Sequence, residues 1–277
     1  MKIECLLAPR RLGEFVALAC GPRVEVHHWV QGALKPIAQH HAEVLVLSLR
    51  VVKNYLLYAD AYQSAHLLYW RERDRQLSLL AKDEKERVTC AADFVIDAHE
   101  SQTSGAKDAP SHSMGIVLAD ARGVLRLLQY APLGKTAAGE RARGGQKLSQ
   151  LAAFALDANC TSFLRHRVGG ASQRWAALYA DLDGALGALL PLDERTFRRL
   201  HSLLKVMTNA LPHNAALNPD KNRLASPRAK NILDGQLIAR FLSLDATLQR
   251  DLANAIGSTS DQLHDDLKTI HDQAAFF

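Results

Sequence analysis

Cysteine is scarce in this 277-residue chain: Cys5, Cys20, Cys90 and Cys160 lie far apart and form no CxxC pair. Zinc sites and disulfide frameworks need tighter spacing, so the four read as small buried hydrophobes. Long apolar runs are missing too. No stretch approaches the ~18 residues a transmembrane helix requires, and no membrane association is expected. The opening residues, MKIECLLAPRRLGEF, carry only a short apolar patch before Pro9 and two arginines. That falls short of a signal-peptide core, so a reducing intracellular compartment is the expectation.

Catalytic and nucleotide signatures are equally absent. There is no GxxxxGK[ST], no GxGxxG after a strand, no HExxH, no EF-hand loop and no GxSxG elbow. Gly144-Gly145 and Gly169-Gly170 sit in loops with no following helix to hold a phosphate. The pairs His27-His28 and His40-His41 resemble metal ligands at first sight. Neighbours on a strand point to opposite faces, however, so neither pair can chelate one ion. No enzyme activity, metal or cofactor is therefore expected.

What is present is a globular composition, 48% hydrophobic and 23% charged, enough for one large or two modest domains. The net charge of +5 permits an acidic partner without demanding one. Its distribution is uneven. Arg195, Arg198, Arg199, Lys205, Lys221, Arg223, Arg228 and Lys230 cluster in one segment, and Arg122, Arg126, Lys135, Arg141, Arg143 and Lys147 surround a loop. The last predicted helix is acidic, with Asp261, Asp265, Asp266 and Asp272.

Up to residue 190 the chain reads as strands. EFVALACG, RVEVHHWV and LKPIAQHH come first; VLVLSLRVV, NYLLYADAY, SAHLLYWRE and QLSLLAKDE follow. Residues 88–156 repeat the plan, and residues 160–190 repeat most of it again. Asp60, Asp120 and Asp181 fall 60 and 61 residues apart, each ending an apolar strand and opening a tight turn. Asp suits that position because its carboxylate accepts from nearby backbone N–H groups. A repeated four-strand antiparallel unit is the mark of a β-propeller. Two polar inserts, Glu100–Ser113 and Pro132–Gln146, are expected as surface loops.

From Asp193 the period becomes helical. Phe197, Leu200, Leu204, Met207 and Leu211 form one apolar stripe, with Asp193 as N-cap and Pro212 as stop. Residues 212–231 read as a basic connector. Further helices follow around Leu233–Leu242, after Asp245 up to the C-cap glycine Gly257, and from Thr259, which has capping-box spacing to Gln262. The expected architecture is mainly β: a partial propeller of about three and a half four-stranded blades over residues 1–192, then a small all-α domain over 193–277.

The run LYADLDGALGALLPLDERTFRRL, then LKVMTNALPHNAALNP, ILDGQLIARFLSL and DLANAIGSTSDQLHDDLKTI, resembles one family. It is similar to the C-terminal region of the largest (160-kilodalton) subunit of the cleavage and polyadenylation specificity factor. Looser likeness extends back to about Val44. The superfamily also holds the large subunit of the damage-specific DNA-binding protein and the third subunit of splicing factor 3B. The Leu211–Pro219 run is more like the polyadenylation subunit than either.

The resemblance implies a three-propeller scaffold ending in helices, and a nuclear, non-enzymatic role in pre-mRNA 3′-end processing. It also implies that WD-repeat and zinc-finger partner subunits read the RNA. The eight cations from Arg195 to Lys230 are the candidate contact for pre-mRNA or a partner; the alternative is an ordinary solvated face, partly paired with the acidic last helix. Base readout is not expected, because the aromatic interleaving of single-strand binders is missing there. The alternatives are a paralogous adaptor in ubiquitin-ligase or splicing complexes, and a direct RNA-binding module. The family's chains are several times longer and its propellers have seven blades. The expectation is therefore a fragment, or blades supplied by another chain, with exposed edges and aggregation when the chain is alone.

Overall fold

Four antiparallel sheets follow one another along the chain, and each opens with the strand that lies against its neighbours' opening strands. The computed structural model describes residues 10–99, 111–130, 141–142, 145–156, 158–167, 175–211 and 231–274. Blade 1 holds β1 (Arg10–Leu12), β2 (Phe15–Cys20), β3 (Arg23–Val30) and β4 (Ala33–His41) in that order. Blade 2 holds β5 (Val46–Val52), β6 (Tyr55–Asp60), β7 (Ser64–Arg71) and β8 (Gln76–Lys82). Blade 3 is built from β9 (Thr89–His99), β10 (Ser111–Asp120), β11 (Val124–Gln129) and β14 (Ser149–Ala155). Among the described residues blade 4 holds three strands: β15 (Cys160–Arg167), β16 (Trp175–Asp181) and β17 (Leu186–Leu189).

The first strands pack side by side, β1 with β5, β5 with β9 and β9 with β15. The propeller expectation holds in this sense: blades radiate from an inner row of first strands, and the array is open. Two details differ from the sequence reading. The second insert is not all loop. Its β12 (Arg141–Ala142) and β13 (Gly145–Lys147) form a hairpin, and β13 pairs parallel with β8. That gives blade 2's sheet an outer extension which only a long-range backbone pairing could create. The ends of the first insert differ likewise, since residues 111–113 begin β10. Residues 100–110 and 131–140 lie outside the described residues.

Burial follows the position of each blade. In blade 1, β2 alternates between buried and half-buried residues, because one face meets blade 2 and the other does not. Phe15, Ala17, Ala19, Val24 and Val26 pack on Leu49, Leu56, Tyr58, Leu68 and Trp70 of blade 2. The opposite face of blade 2, with Leu57, Ala59, Ala65, Leu67 and Ala81, packs on Phe94, Ile116, Leu118 and Leu128 of blade 3. Covered on both sides, β6 is buried over five consecutive residues, Leu56 to Asp60. The other face of blade 3 receives Phe163 and Ala177 of blade 4 against Val117, Leu125 and Phe154. Cys160 joins that core, whereas Cys20 and Cys90 are half-buried. Cys5 lies outside the described residues.

The recurring aspartates are turn residues, as their spacing implies. Asp60 accepts from the N–H groups of Tyr62 (2.7 Å), Gln63 (3.1 Å) and Val44 (3.1 Å). Asp120 accepts from Arg122 and Val124, both at 3.0 Å, and from the Arg87 guanidinium. Asp181 accepts from Ala185 at 2.7 Å. In each unit the residue after the aspartate donates to the residue just before the blade's first strand: Ala61 to Leu45, Ala121 to Val88 and Leu182 to Asn159. One carboxylate thus closes its hairpin and fixes that hairpin against the entry of its own blade.

The change of period falls where the sequence places it, between Leu189 at the end of β17 and Glu194 at the start of α1 (Glu194–Ala210). Asp193 caps α1 by accepting from Thr196 at 3.1 Å, and Leu200, Leu203, Leu204 and Met207 are buried. The helix expected around Leu233–Leu242 is a short α2 (Gly235–Ala239) running into a 3₁₀ turn (Arg240–Ser243). Asp245 caps α3 (Ala246–Ala255), and Gly257 (φ +68°) follows it. In α4 (Ser260–Ala274) the Gln262 N–H donates to Thr259 Oγ1, while the Gln262 carbonyl accepts from Ser258 Oγ, not from the Thr259 backbone.

Gly123, in the turn that Asp120 closes, is the position where this geometry admits no side chain. Its φ is +71°, and an added Cβ would lie 2.9 Å from the Leu156 carbonyl oxygen and 3.1 Å from that of Ala158. Gly32 shares the positive φ, +81°, but faces open space. Gly32→Ala should therefore cost about 1 kcal/mol of backbone strain. Gly123→Ala should add about 1–3 kcal/mol of overpacking to that. Chemical denaturation of the two variants checks this, and equal losses would contradict the close approach.

Candidate interaction surface

The α1 helix carries two opposed faces. Its apolar face closes a core with Leu237, Ile238, Phe241, Leu252, Leu263 and Leu267. Its other face is open: Arg195, Arg198, Ser202, Lys205 and Asn209 are all exposed, and steps of three and four residues align them in one stripe. Among the described residues, neither Arg195 nor Lys205 forms an ion pair. Arg198 lies against Glu194 one turn back, but both side chains are about three-quarters exposed. Such a surface pair is worth only about 0.3–0.5 kcal/mol, so a polyanion can displace it.

Arg199 is placed differently. Its Nε and Nη2 donate to the two carboxylate oxygens of Asp266 on α4, at 2.7 and 3.0 Å, in a half-buried bidentate pair. This arginine ties α1 to α4. Lys221, Arg223, Arg228 and Lys230 lie outside the described residues. Of the second basic cluster, Arg126 is buried and Lys147 pairs with Glu84 at 2.8 Å.

Two charged groups between the blades were not anticipated from the sequence. Asp93 on β9 stands between Arg50 on β5 and Arg165 on β15, with Nε–carboxylate distances of 3.4 and 3.2 Å. Arg50 also donates across to the Phe163 carbonyl of blade 4 at 3.2 Å. One carboxylate therefore clasps the inner strands of three blades. Burial pushes the Asp93 carboxyl up despite both guanidiniums and the hydrogen bond from the Phe94 N–H.

The second group joins blades 2 and 3. Arg126, 1% exposed, donates to Asp83 and, at 2.7 Å, to Ser64 Oγ. Ser64 Oγ in turn donates to Asp83 at 2.8 Å and lies 3.1 Å from Thr89 Oγ1. Each partner comes from a different strand or connection, so no local spacing announces the cluster.

Of the two pairs, His27, His28 and His40 have ordinary protein partners. His27 lies 2.9 Å from Glu25, and His28 packs on Phe15. His40 lies 3.1 Å from the Tyr58 hydroxyl, and the Tyr58 ring stacks on His66 at 4.7 Å. Among the described residues no group of three His, Cys, Asp or Glu side chains converges to hold a metal ion. No helix among them is long and apolar enough to cross a membrane. The arrangement among the described residues is one of interlocked blades and an open cationic helix face.

Burial pushes His66 down to about 4 from 6.5, with Lys82 and His40 adding to the effect and Asp60 and Asp83 opposing it.

Comparison with known proteins bears on what such a surface meets. Residues 7–243 match the family model described as the CPSF A subunit region. The chain is 34% identical over 260 residues to a rice protein (Oryza sativa subsp. japonica) named probable cleavage and polyadenylation specificity factor subunit 1. That alignment covers 89% of this chain and 17% of the relative. It is 33% identical over 264 residues to subunit 1 of Arabidopsis thaliana, covering 90% and 17%. To the Drosophila melanogaster subunit 1 it is 26% identical over 280 residues, covering 95% and 18%. The chain thus spans about one-sixth of the length of the curated relatives it matches.

Two measurements check the buried groups. Asp83→Ala strands a fully buried guanidinium and should cost about 3–5 kcal/mol. Asp93→Ala should cost distinctly less, because Arg50 and Arg165 keep about a fifth of their surface in water. Denaturant midpoints that rank the two the other way would contradict the assignment. For His66 the unfolded chain binds the proton near pH 6.5, and the folded chain resists it until about pH 4. Its contribution is complete above pH 6.5, falls as pH drops towards 4, and totals about 3 kcal/mol. His66→Phe, which retains the stack on Tyr58, should lose about that much less stability over this range. Parallel losses in the two proteins would remove His66 as the cause.

Proposed function

The chain belongs to the CPSF A subunit family, and from that premise we propose that it is a non-enzymatic scaffold of the nuclear pre-mRNA 3′-end cleavage and polyadenylation machinery. It holds partner subunits of WD-repeat and zinc-finger type, which read the RNA. The observation that carries this reading is the similarity to proteins named cleavage and polyadenylation specificity factor subunit 1, which runs through the blades and into the helices. The architecture supports it. Blades locked by shared carboxylates and buried arginines form a rigid support, and rigid supports position partners well.

A second reading is favoured by one observation, the open stripe of Arg195, Arg198 and Lys205 on α1. Together with Lys221, Arg223, Arg228 and Lys230 it offers positive charge to an RNA backbone. Arg199 contributes less, because its guanidinium already holds Asp266. A paralogous adaptor role in ubiquitin-ligase or splicing complexes is the competing assignment.

Affinity purification of the tagged chain separates these readings. Polyadenylation subunits should co-purify. Recovery of ubiquitin-ligase or splicing subunits in their place would sink the proposal. With a single-stranded RNA oligonucleotide, binding should weaken steeply with salt. The Arg195→Gln/Arg198→Gln/Lys205→Gln variant should flatten the slope of log K against log salt by about 2. An unchanged slope would remove α1 from the RNA contact.

A further inference from the structure

Blade 2 carries a further cluster of cations at the end opposite its turn aspartate. Tyr55 on β6 lies opposite Tyr69 on β7. A backbone hydrogen bond from the Trp70 N–H to the Asn54 carbonyl, at 2.8 Å, continues that register into the turn between β5 and β6. Lys53 is thereby set opposite Arg71. The turn between β7 and β8 adds Arg73 and Arg75. All four cations are exposed, and among the described residues none forms an ion pair. Glu72 and Asp74, interleaved with the arginines, leave two of the four charges uncompensated.

This cluster differs from an ordinary solvated turn in two ways. Like charges directly across a strand pair destabilise it, so Lys53 and Arg71 face each other at a cost that a bound anion removes. Aromatic rings also lie beside the charges. Tyr55 and Tyr69 meet edge to face with centroids 5.1 Å apart. Both rings and Arg71 fall on the side of blade 2 that faces blade 3, because Leu57 and Leu67, two residues along each strand, pack there. Tyr130, which follows β11 of blade 3, stands near them: burial first, and then Tyr55, push its hydroxyl up. All three tyrosines are half-buried. Cations beside part-exposed rings are what the α1 stripe lacks.

We propose that this end of blade 2 binds single-stranded RNA, with a phosphate held between Lys53 and Arg71 and an unstacked base laid on the Tyr55–Tyr69 pair. Arg73 and Arg75 follow the backbone beyond that phosphate. Every base has a π-face, so such a contact is tolerant of sequence. Duplex RNA fits it less well, because its bases stay stacked inside the helix. An acidic peptide would use the cations and leave the rings idle. The site lies on the blades, not on α1, and it stands whether or not α1 touches RNA.

Fluorescence anisotropy of a short labelled oligouridine with the 277-residue chain tests this. Lys53→Gln/Arg71→Gln should flatten the slope of log K against log salt by about 1. The same variant should melt no lower than the wild type, because it removes a repulsion. Tyr69→Leu should weaken binding about 5- to 150-fold and leave the salt slope unchanged. Arg73→Gln/Arg75→Gln, in an exposed turn, should also flatten the slope and keeps the test open if the tyrosine variant misfolds. All these effects should persist when Arg195→Gln/Arg198→Gln/Lys205→Gln is added, which separates this site from the α1 contact. Unchanged slopes in both charge variants would overturn the proposal, as would a folded Tyr69→Leu protein of wild-type affinity. Oligoglutamate or duplex RNA bound as tightly as oligouridine would overturn it too, the first by assigning the cations to an acidic protein segment.

Discussion

The structure depends on one constraint: a β-sheet blade has two faces, and each apolar face must meet another blade. Blades 2 and 3 satisfy it on both sides, and their strands carry nearly unbroken apolar sequence as a result. LLYA in β6 and IVLA in β10 are the plainest cases, each buried along its whole length. Blades 1 and 4 satisfy it on one side, and their buried positions alternate or thin out accordingly. The gradient from alternating to continuous hydrophobicity records where a blade sits in the array.

Polar chemistry then sets register and spacing. Asp60, Asp120 and Asp181 close hairpins at equivalent points of successive blades. Asp93 draws two arginines from the blades on either side, and Arg126 enters the joint between blades 2 and 3 with Asp83 and Ser64. Apolar faces alone would tolerate sliding. Buried ion pairs with directional hydrogen bonds do not, because an offset of a few ångströms leaves a charge uncompensated.

Much of this was legible in the residues wherever the physics is local. The turn contacts of Asp60, Asp120 and Asp181, the N-cap Asp193, the Thr259 hydroxyl that accepts from the Gln262 N–H and the C-cap glycine Gly257 each act within a few positions. The change of hydrophobic period marked the passage from strands to helix. What escaped was non-local. Arg199 and Asp266 are 67 residues apart and Arg126 and Asp83 are 43, so spacing could not pair them. The β12–β13 hairpin joins a sheet that was finished far earlier in the chain. The helix expected around Leu233–Leu242 tightens into a 3₁₀ turn, where Gln249 holds the Phe241 and Leu244 carbonyls from α3. In the basic cluster, composition could not separate Arg199, engaged with α4, from Arg195 and Lys205 on the open side of the same helix.

Stability resides in the faces between blades. Amide hydrogen exchange resolved by strand tests it most directly. Exchange is expected to be slowest in β6, β7, β10 and β11, the central strands of the doubly covered blades, and much faster in the edge strands β4 and β17. Protection in β17 equal to that in β6, or a helical segment that outlasts blades 2 and 3, would contradict it.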